Sequence, residues 1–148
     1  MFIRKATAGD ISRIAEIYVF NNRVNFFPIF KDENFSFGEM QVVSLADQYF
    51  KRDEILNHIY VFDNGLIRGF IQMDRTEICK LYVDTFFQGA GIGKALIEYA
   101  VKKLHGDHLW ALEKNTRALS FYQRHGFHLT GARKLEEDTT EYLVELKR

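Results

Sequence analysis

The chain is poor in the residues that staple or stiffen a fold: of 148 residues one is cysteine and one is proline. A lone thiol, Cys79, excludes an internal disulfide and a cysteine-based metal cluster, and it suits a reducing compartment. Excess charge of either sign is lacking too, since 20 Lys and Arg balance 20 Asp and Glu. The whole-protein field therefore gives no reason to expect nucleic acid or an anionic membrane as partner. No apolar run approaches the ~18 residues of a membrane span, and the opening Met-Phe-Ile-Arg-Lys breaks off too early for a leader or anchor. The five histidines show no metal-ligand spacing, so no metal is expected, and a cytoplasmic soluble protein is the default.

What is present is apolar residue: 47% of a chain long enough to bury roughly 68–70% of its unfolded surface in one core. One domain over 1–148 is expected. Phe2 to Ala6 reads as a strand, and Gly9-Asp10 before Ile11, Ile14, Ala15, Ile17 and Tyr18 reads as a capped amphipathic helix. From Asn21 to Asp53 the pattern is irregular and rich in phenylalanine, and helical spacing returns over Met40 to Phe50. His58–Phe62 and Leu66–Met73 flank the turn Asp63-Asn64-Gly65, and Glu77–Asp84 completes a meander. The rest reads as a helix over Gly91–Leu104, a strand over His108–Leu112, a helix over Thr116–His125 ended by Gly126, and a hairpin of Phe127–Lys134 with Thr139–Leu146. The predicted order, β-α-α-β-β-β-α-β-α-β-β, is an α/β fold with a single mixed, mostly antiparallel sheet flanked by helices.

The most informative stretch runs from Glu77 to Gly93, an apolar strand that enters a loop with glycine at positions 89, 91 and 93 before a long helix. Glycines permit close approach of an anion, and the unbonded N–H groups of a first helical turn point at it. A P-loop is excluded, because Gln88 stands where the first glycine belongs and Ala95 replaces the hydroxyl after Lys94. A dinucleotide fingerprint fails as well, needing glycine at Lys94 or Leu96. Gln88-Gly89-Ala90-Gly91-Ile92-Gly93 instead resembles the pyrophosphate loop of the GNAT superfamily of acyl-CoA-dependent N-acyltransferases. Asn115-x-x-Ala118-x-x-Phe121-Tyr122 followed by Gly126-Phe127 resembles the second motif of that family, and the element order matches in outline from Phe2 to Leu146.

The resemblance implies an N-acetyltransferase that binds acetyl-CoA as co-substrate and lets a bound primary amine attack the thioester directly. Carrier binding falls by resemblance to the backbone of Leu81, Tyr82 and Val83, to the loop Gln88 to Gly93 with Lys94, and to Asn115, Ala118 and Tyr122. Tyr122, seven residues and hence two helical turns beyond Asn115, is by the same resemblance the general acid for the thiolate. Its plain reading is a core aromatic, and that of Asn115 is a helix cap. Glu77, eleven residues before Gln88, is at the spacing of the catalytic glutamate of histone-type members. Strict alternation would set Glu77, Cys79, Leu81 and Val83 on one face and desolvate that carboxylate; the competing reading is an exposed strand-start glutamate. Lys94 and Arg124 add charge near phosphates, or sit on solvated helix faces. The aromatic segment Phe26 to Phe37 is expected to wall the acceptor pocket or to pack against a second subunit in a homodimer. An N-terminal acetyltransferase of the ribosomal-protein type and a non-catalytic acyl-CoA-binding regulator are the alternatives.

Overall fold

A computed structural model describes residues 2–148. Its seven strands are β1 (Ile3–Lys5), β2 (Ile59–Asp63), β3 (Ile67–Asp74), β4 (Glu77–Val83), β5 (His108–Leu112), β6 (His128–Leu135) and β7 (Tyr142–Lys147). They form one sheet in the order β1-β2-β3-β4-β5-β7-β6. Every pairing is antiparallel except β4 with β5, which a helical crossover joins as parallel neighbours. That helix is α5 (Ile92–Lys103), with α6 (Thr116–Arg124) following β5.

Both faces of the sheet are covered. On one, Leu96 and Ile97 of α5 pack with Ile71, Ile78, Phe127 and Leu146. On the other, Ile14 and Ile17 of α1 (Ile11–Asn25) pack with Phe50, Val61 and Phe70. Phe50 and Phe70 have no exposed surface, so truncating either to alanine costs about 3–5 kcal/mol. Ahead of α1, the Asp10 carboxylate accepts from the Thr7 N–H and joins Arg4, which also reaches Asp63 of β2. The Asp10 carboxylate thus closes the turn Ala8–Asp10 that leads into α1, and Arg4 ties β1 to β2.

The helix expected over Met40–Phe50 is corrected. After α1 the chain makes α2 (Phe27–Phe30), a wide π-type turn at Asn34–Glu39, α3 (Val42–Leu45), a second wide turn at Ala46–Phe50 and α4 (Asp53–Leu56). The second wide turn lets two consecutive aromatics reach the sheet. Phe50 packs edge-on to Tyr18 and Phe70, while the Tyr49 hydroxyl meets Gln72 at 2.8 Å.

The alternation expected along β4 is corrected as well. Gln72 pairs with Lys80 and Met73 with Ile78, so Cys79 is an extra residue, a β-bulge. Beyond it the phase reverses: Leu81 and Val83 join Ile78 on the α5 side, and Lys80 and Tyr82 turn towards α1. No helix among the described residues is long and apolar enough to cross a membrane.

Candidate active site

The glycine loop is built from its two ends. At the exit of β4 the Asp84 carboxylate accepts from Phe86 N–H at 2.8 Å and pairs with Arg13 of α1 at 2.8 Å. Gly89 and Gly91 follow in the left-handed region, φ 84° and 81°, where a side chain costs roughly 1–2 kcal/mol. Gly93 serves differently, because a Cβ there would stand 3.3 Å from the Phe121 ring of α6. Gly91 caps α5 without any side-chain acceptor, so the first-turn N–H groups remain available. They face a cavity of about 430 Å³, flanked by Lys94, Arg117 and Arg124. Three cations and a helix N-terminus make that end a setting for phosphate.

Beside the loop the sheet opens. β4 and β5 pair only at Glu77 with His108 and Ile78 with Leu109, then diverge. Asp84 N–H donates to Arg68 O at 2.8 Å, which fixes the alternation of the ladder with β3. Lys80 and Tyr82 then bond to β3, while Leu81 and Val83 turn their backbone groups into the opening. The expectation that all three residues offer backbone bonds is corrected for Tyr82, which contributes its ring. The Val83 carbonyl already accepts from Asn21 Nδ2 at 3.0 Å, so α1 steadies the edge of the opening.

A second cavity of about 1130 Å³ lies on the other side of the opening, walled by Tyr18, Phe26, Phe30 and Phe35. The Phe-rich segment therefore forms a pocket wall. Carboxylates of Asp32, Glu39, Glu136, Glu137, Asp138 and Glu141 line this cavity with one cation, Lys80. Burial opposes the Lys80 charge and Tyr18 and Tyr49 favour it, and the balance leaves its pKa raised. Lys80 is an ammonium at neutral pH.

The two cavities meet at Phe26, Leu81, Tyr82, Asn115, Ala118 and Tyr122. Asn115 caps α6 through Oδ1, accepting from Ala118 N–H at 3.3 Å. Tyr122 packs its ring on Phe121 and Phe127, with centroids 5.2 and 6.0 Å away. Its hydroxyl has no hydrogen-bond partner among the described residues, and burial pushes the phenol well above its ordinary range.

Of the residues named from the sequence for carrier binding, all line the smaller cavity except Ala90, which is exposed. Glu77 lines neither cavity. It sits at the paired end of β4, before the bulge, 3.8 Å from His108 Nε2, so it is neither lone nor turned into the opening. Cys79 lines the larger cavity, with its thiol pushed up to about 11 by burial and by Glu77. So protonated, it is a poor nucleophile. Sequence reasoning missed Arg117, Lys80, Tyr18 and Asn21. Arg117, two residues after the cap Asn115 and so in the first turn of α6, was the one with a readable signal.

Comparison with known proteins gives this geometry a family. The model of the acetyltransferase (GNAT) domain matches residues 56–129. The chain belongs to the GNAT acetyltransferase family. It is similar to the peptidyl-lysine N-acetyltransferase YjaB of Salmonella typhimurium, 33% identical over 69 residues, which are 47% of this chain and 48% of that protein. YjaB of Escherichia coli K12 is 28% identical over 69 residues, 47% of each chain. The matched segment thus spans about half the length of these curated relatives. Similarity of fold extends further. Apo YjaB from Escherichia coli superposes with a TM-score of 0.72 at 21% identity, covering 98% of this chain and 95% of that one. The PaiA N-acetyltransferase of Thermoplasma acidophilum, in complex with coenzyme A, gives 0.68 at 21% identity over 99% and 98%. YncA of Salmonella typhimurium with acetyl-CoA gives 0.66 at 17% identity over 99% and 91%. The predicted mixed sheet flanked by helices is the fold these structures share.

Proposed function

We propose that the chain is an acetyl-CoA-dependent N-acetyltransferase acting on a primary amine in a ternary complex. One observation carries this reading: Tyr122 and Leu81 stand in the wall shared by a cation-flanked cavity and an acid-lined one. The smaller cavity suits the carrier. Its pyrophosphate lies against the N-terminus of α5 with Lys94, Arg117 and Arg124, and its amide-rich arm pairs as an added strand with Leu81 and Val83. The Leu81 N–H is available to polarise the thioester carbonyl, an arrangement in which one donor is worth about 2.7–4 kcal/mol. The larger cavity receives the acceptor, drawn as an ammonium by its carboxylates.

The bound ammonium first releases one proton to solvent; the free amine nitrogen then forms a bond to the carbonyl carbon and the carbon–sulfur bond breaks. The thiolate takes the Tyr122 proton, and the proton lost by the amine returns to the phenol through solvent. Burial raises the phenol, and a thiolate leaving in the same water-excluded wall is poorly solvated, which favours its protonation. Cys79 carries no acyl group here, its thiol being protonated, which favours direct attack. Glu77 is given no proton-transfer step, because it lines neither cavity.

Melting temperature with and without acetyl-CoA, followed by coenzyme A release over a panel of amines, tests the proposal. Ligand at 100 times Kd adds about 2.7 kcal/mol, or roughly 5–12 °C in Tm for a domain of this size. A shift with acetyl-CoA and coenzyme A but not ATP, together with amine-dependent release, is expected. Binding without turnover on any amine, peptides included, identifies a non-catalytic acyl-CoA-binding module instead.

A further inference from the structure

Lys80 stands out among the residues lining the larger cavity as its one cation. Its Nζ donates to the Tyr49 hydroxyl at 3.0 Å and lies 4.8 Å from the centroid of the Tyr49 ring and 5.4 Å from that of Tyr18. Tyr49 is held in turn by Gln72, whose Nε2 donates to the same hydroxyl at 2.8 Å and which is 5% exposed. The lysine arm is therefore fixed. None of the ion pairs among the described residues includes it, although six carboxylates line the same cavity. An ammonium has three donors, and Tyr49 uses one of them. Two donors therefore remain for an anion that a ligand brings, as charge-assisted hydrogen bonds.

From this we infer that Lys80 is a carboxylate-binding residue of the acceptor cavity, and that the preferred acceptors are α-amino acids. The inference rests on reading this cavity as the acceptor site. Lys80 directly precedes Leu81 on one rigid strand, just past the bulge, so the anion subsite and the opening between β4 and β5 are set by neighbouring residues. The exposed carboxylates of Glu39, Glu137 and Asp138 attract an ammonium towards the cavity, and Lys80 offers the opposite charge. An α-amino acid answers both charges within one small molecule. A polyamine would set its second ammonium against Lys80, and an internal lysine of a peptide would bring no anion at all.

The test uses matched pairs: phenylalanine with 2-phenylethylamine, tyrosine with tyramine, lysine with cadaverine, arginine with agmatine. Coenzyme A release is measured for each member with the wild-type chain, Lys80→Met and Lys80→Arg. Methionine keeps the apolar stem against Tyr18 and Tyr49, and the melting temperature of each variant verifies folding. The wild-type chain is expected to favour the amino acid in at least one pair by tenfold or more in kcat/KM. Lys80→Met should erase that ratio through KM, with the Kd of coenzyme A unchanged, and Lys80→Arg should restore part of it. Preference for the decarboxylated members, activity confined to peptide lysines, or a ratio that Lys80→Met leaves unchanged overturns the inference. A second readout needs no turnover: the Lys80 ε-carbon resonance, assigned by its loss in Lys80→Met, should move with amino acids and not with the paired amines in protein loaded with coenzyme A. If no amine reacts while that resonance responds, the proposed activity fails and the Lys80 site stands; if it is silent to both classes, the Lys80 site falls.

Discussion

Replacing Tyr122 by phenylalanine removes one hydroxyl from the wall between the two cavities and leaves the ring on Phe121 and Phe127. The hydroxyl has no partner among the described residues, so its loss orphans no other group. Stability should change by less than about 0.5 kcal/mol. Catalysis should respond differently. Proton donation by a positioned group contributes about 10²–10⁴-fold, equivalent to roughly 2.7–5.4 kcal/mol of barrier, so kcat should fall by at least 100-fold. Affinity for coenzyme A should stay within threefold. The assay is coenzyme A release under saturating acetyl-CoA, repeated with acetyl thioesters of more acidic thiols, whose thiolates leave without help. The deficit of the variant should shrink as the leaving thiol becomes more acidic. An unchanged kcat, or a loss matched by an equal loss of coenzyme A affinity, would refute the general-acid assignment.

Gly91→Val places a branched side chain at φ 81° in front of α5, so binding of coenzyme A should fall more than tenfold in calorimetry, for a stability loss of only about 1–2 kcal/mol. Retained affinity would remove the loop from the carrier site. Arg117→Ala should weaken coenzyme A but not an acetyl-pantetheine lacking phosphates, and equal weakening of both would show that Arg117 does not read phosphate. Burial raises the phenols of Tyr18, Tyr82 and Tyr122, so the folded chain holds these protons more tightly than the unfolded chain. Stability is therefore full below the ordinary tyrosine value of 10.0 and falls as pH rises beyond it; a urea midpoint that stays flat above that pH would contradict their burial.

The parts of the site legible in the sequence are those where the backbone makes demands on residue type. Gly89 and Gly91 need left-handed angles, Gly93 needs contact with Phe121, and Asn115 must cap α6, so each leaves a mark at a fixed spacing. The central meander was legible from the turn Asp63-Asn64-Gly65, where the Asp63 carboxylate accepts from Gly65 N–H at 2.9 Å. The bulge at Cys79 left no mark, because an alternating pattern reads the same with one residue to spare until its partner strand is known. That hidden residue misplaced Glu77 and concealed Lys80. The wide turn at Ala46–Phe50 was equally silent, its cause lying in Phe70 and Gln72 on the far side of the core.

The bulge also says what kind of change this site tolerates. Strand β4 is two short runs out of step, and the step between them aims Leu81 at one side of the sheet and Lys80 with Tyr82 at the other. The chemistry of position 79 matters little to that aim, whereas the number of residues between Met73's partner Ile78 and Gln72's partner Lys80 decides it. A chain shortened by that one residue would keep every other side chain named in this site and lose their arrangement. Its function is thus written in counting as much as in composition, and a descendant of this protein can exchange the sulfur freely but cannot drop the place it occupies.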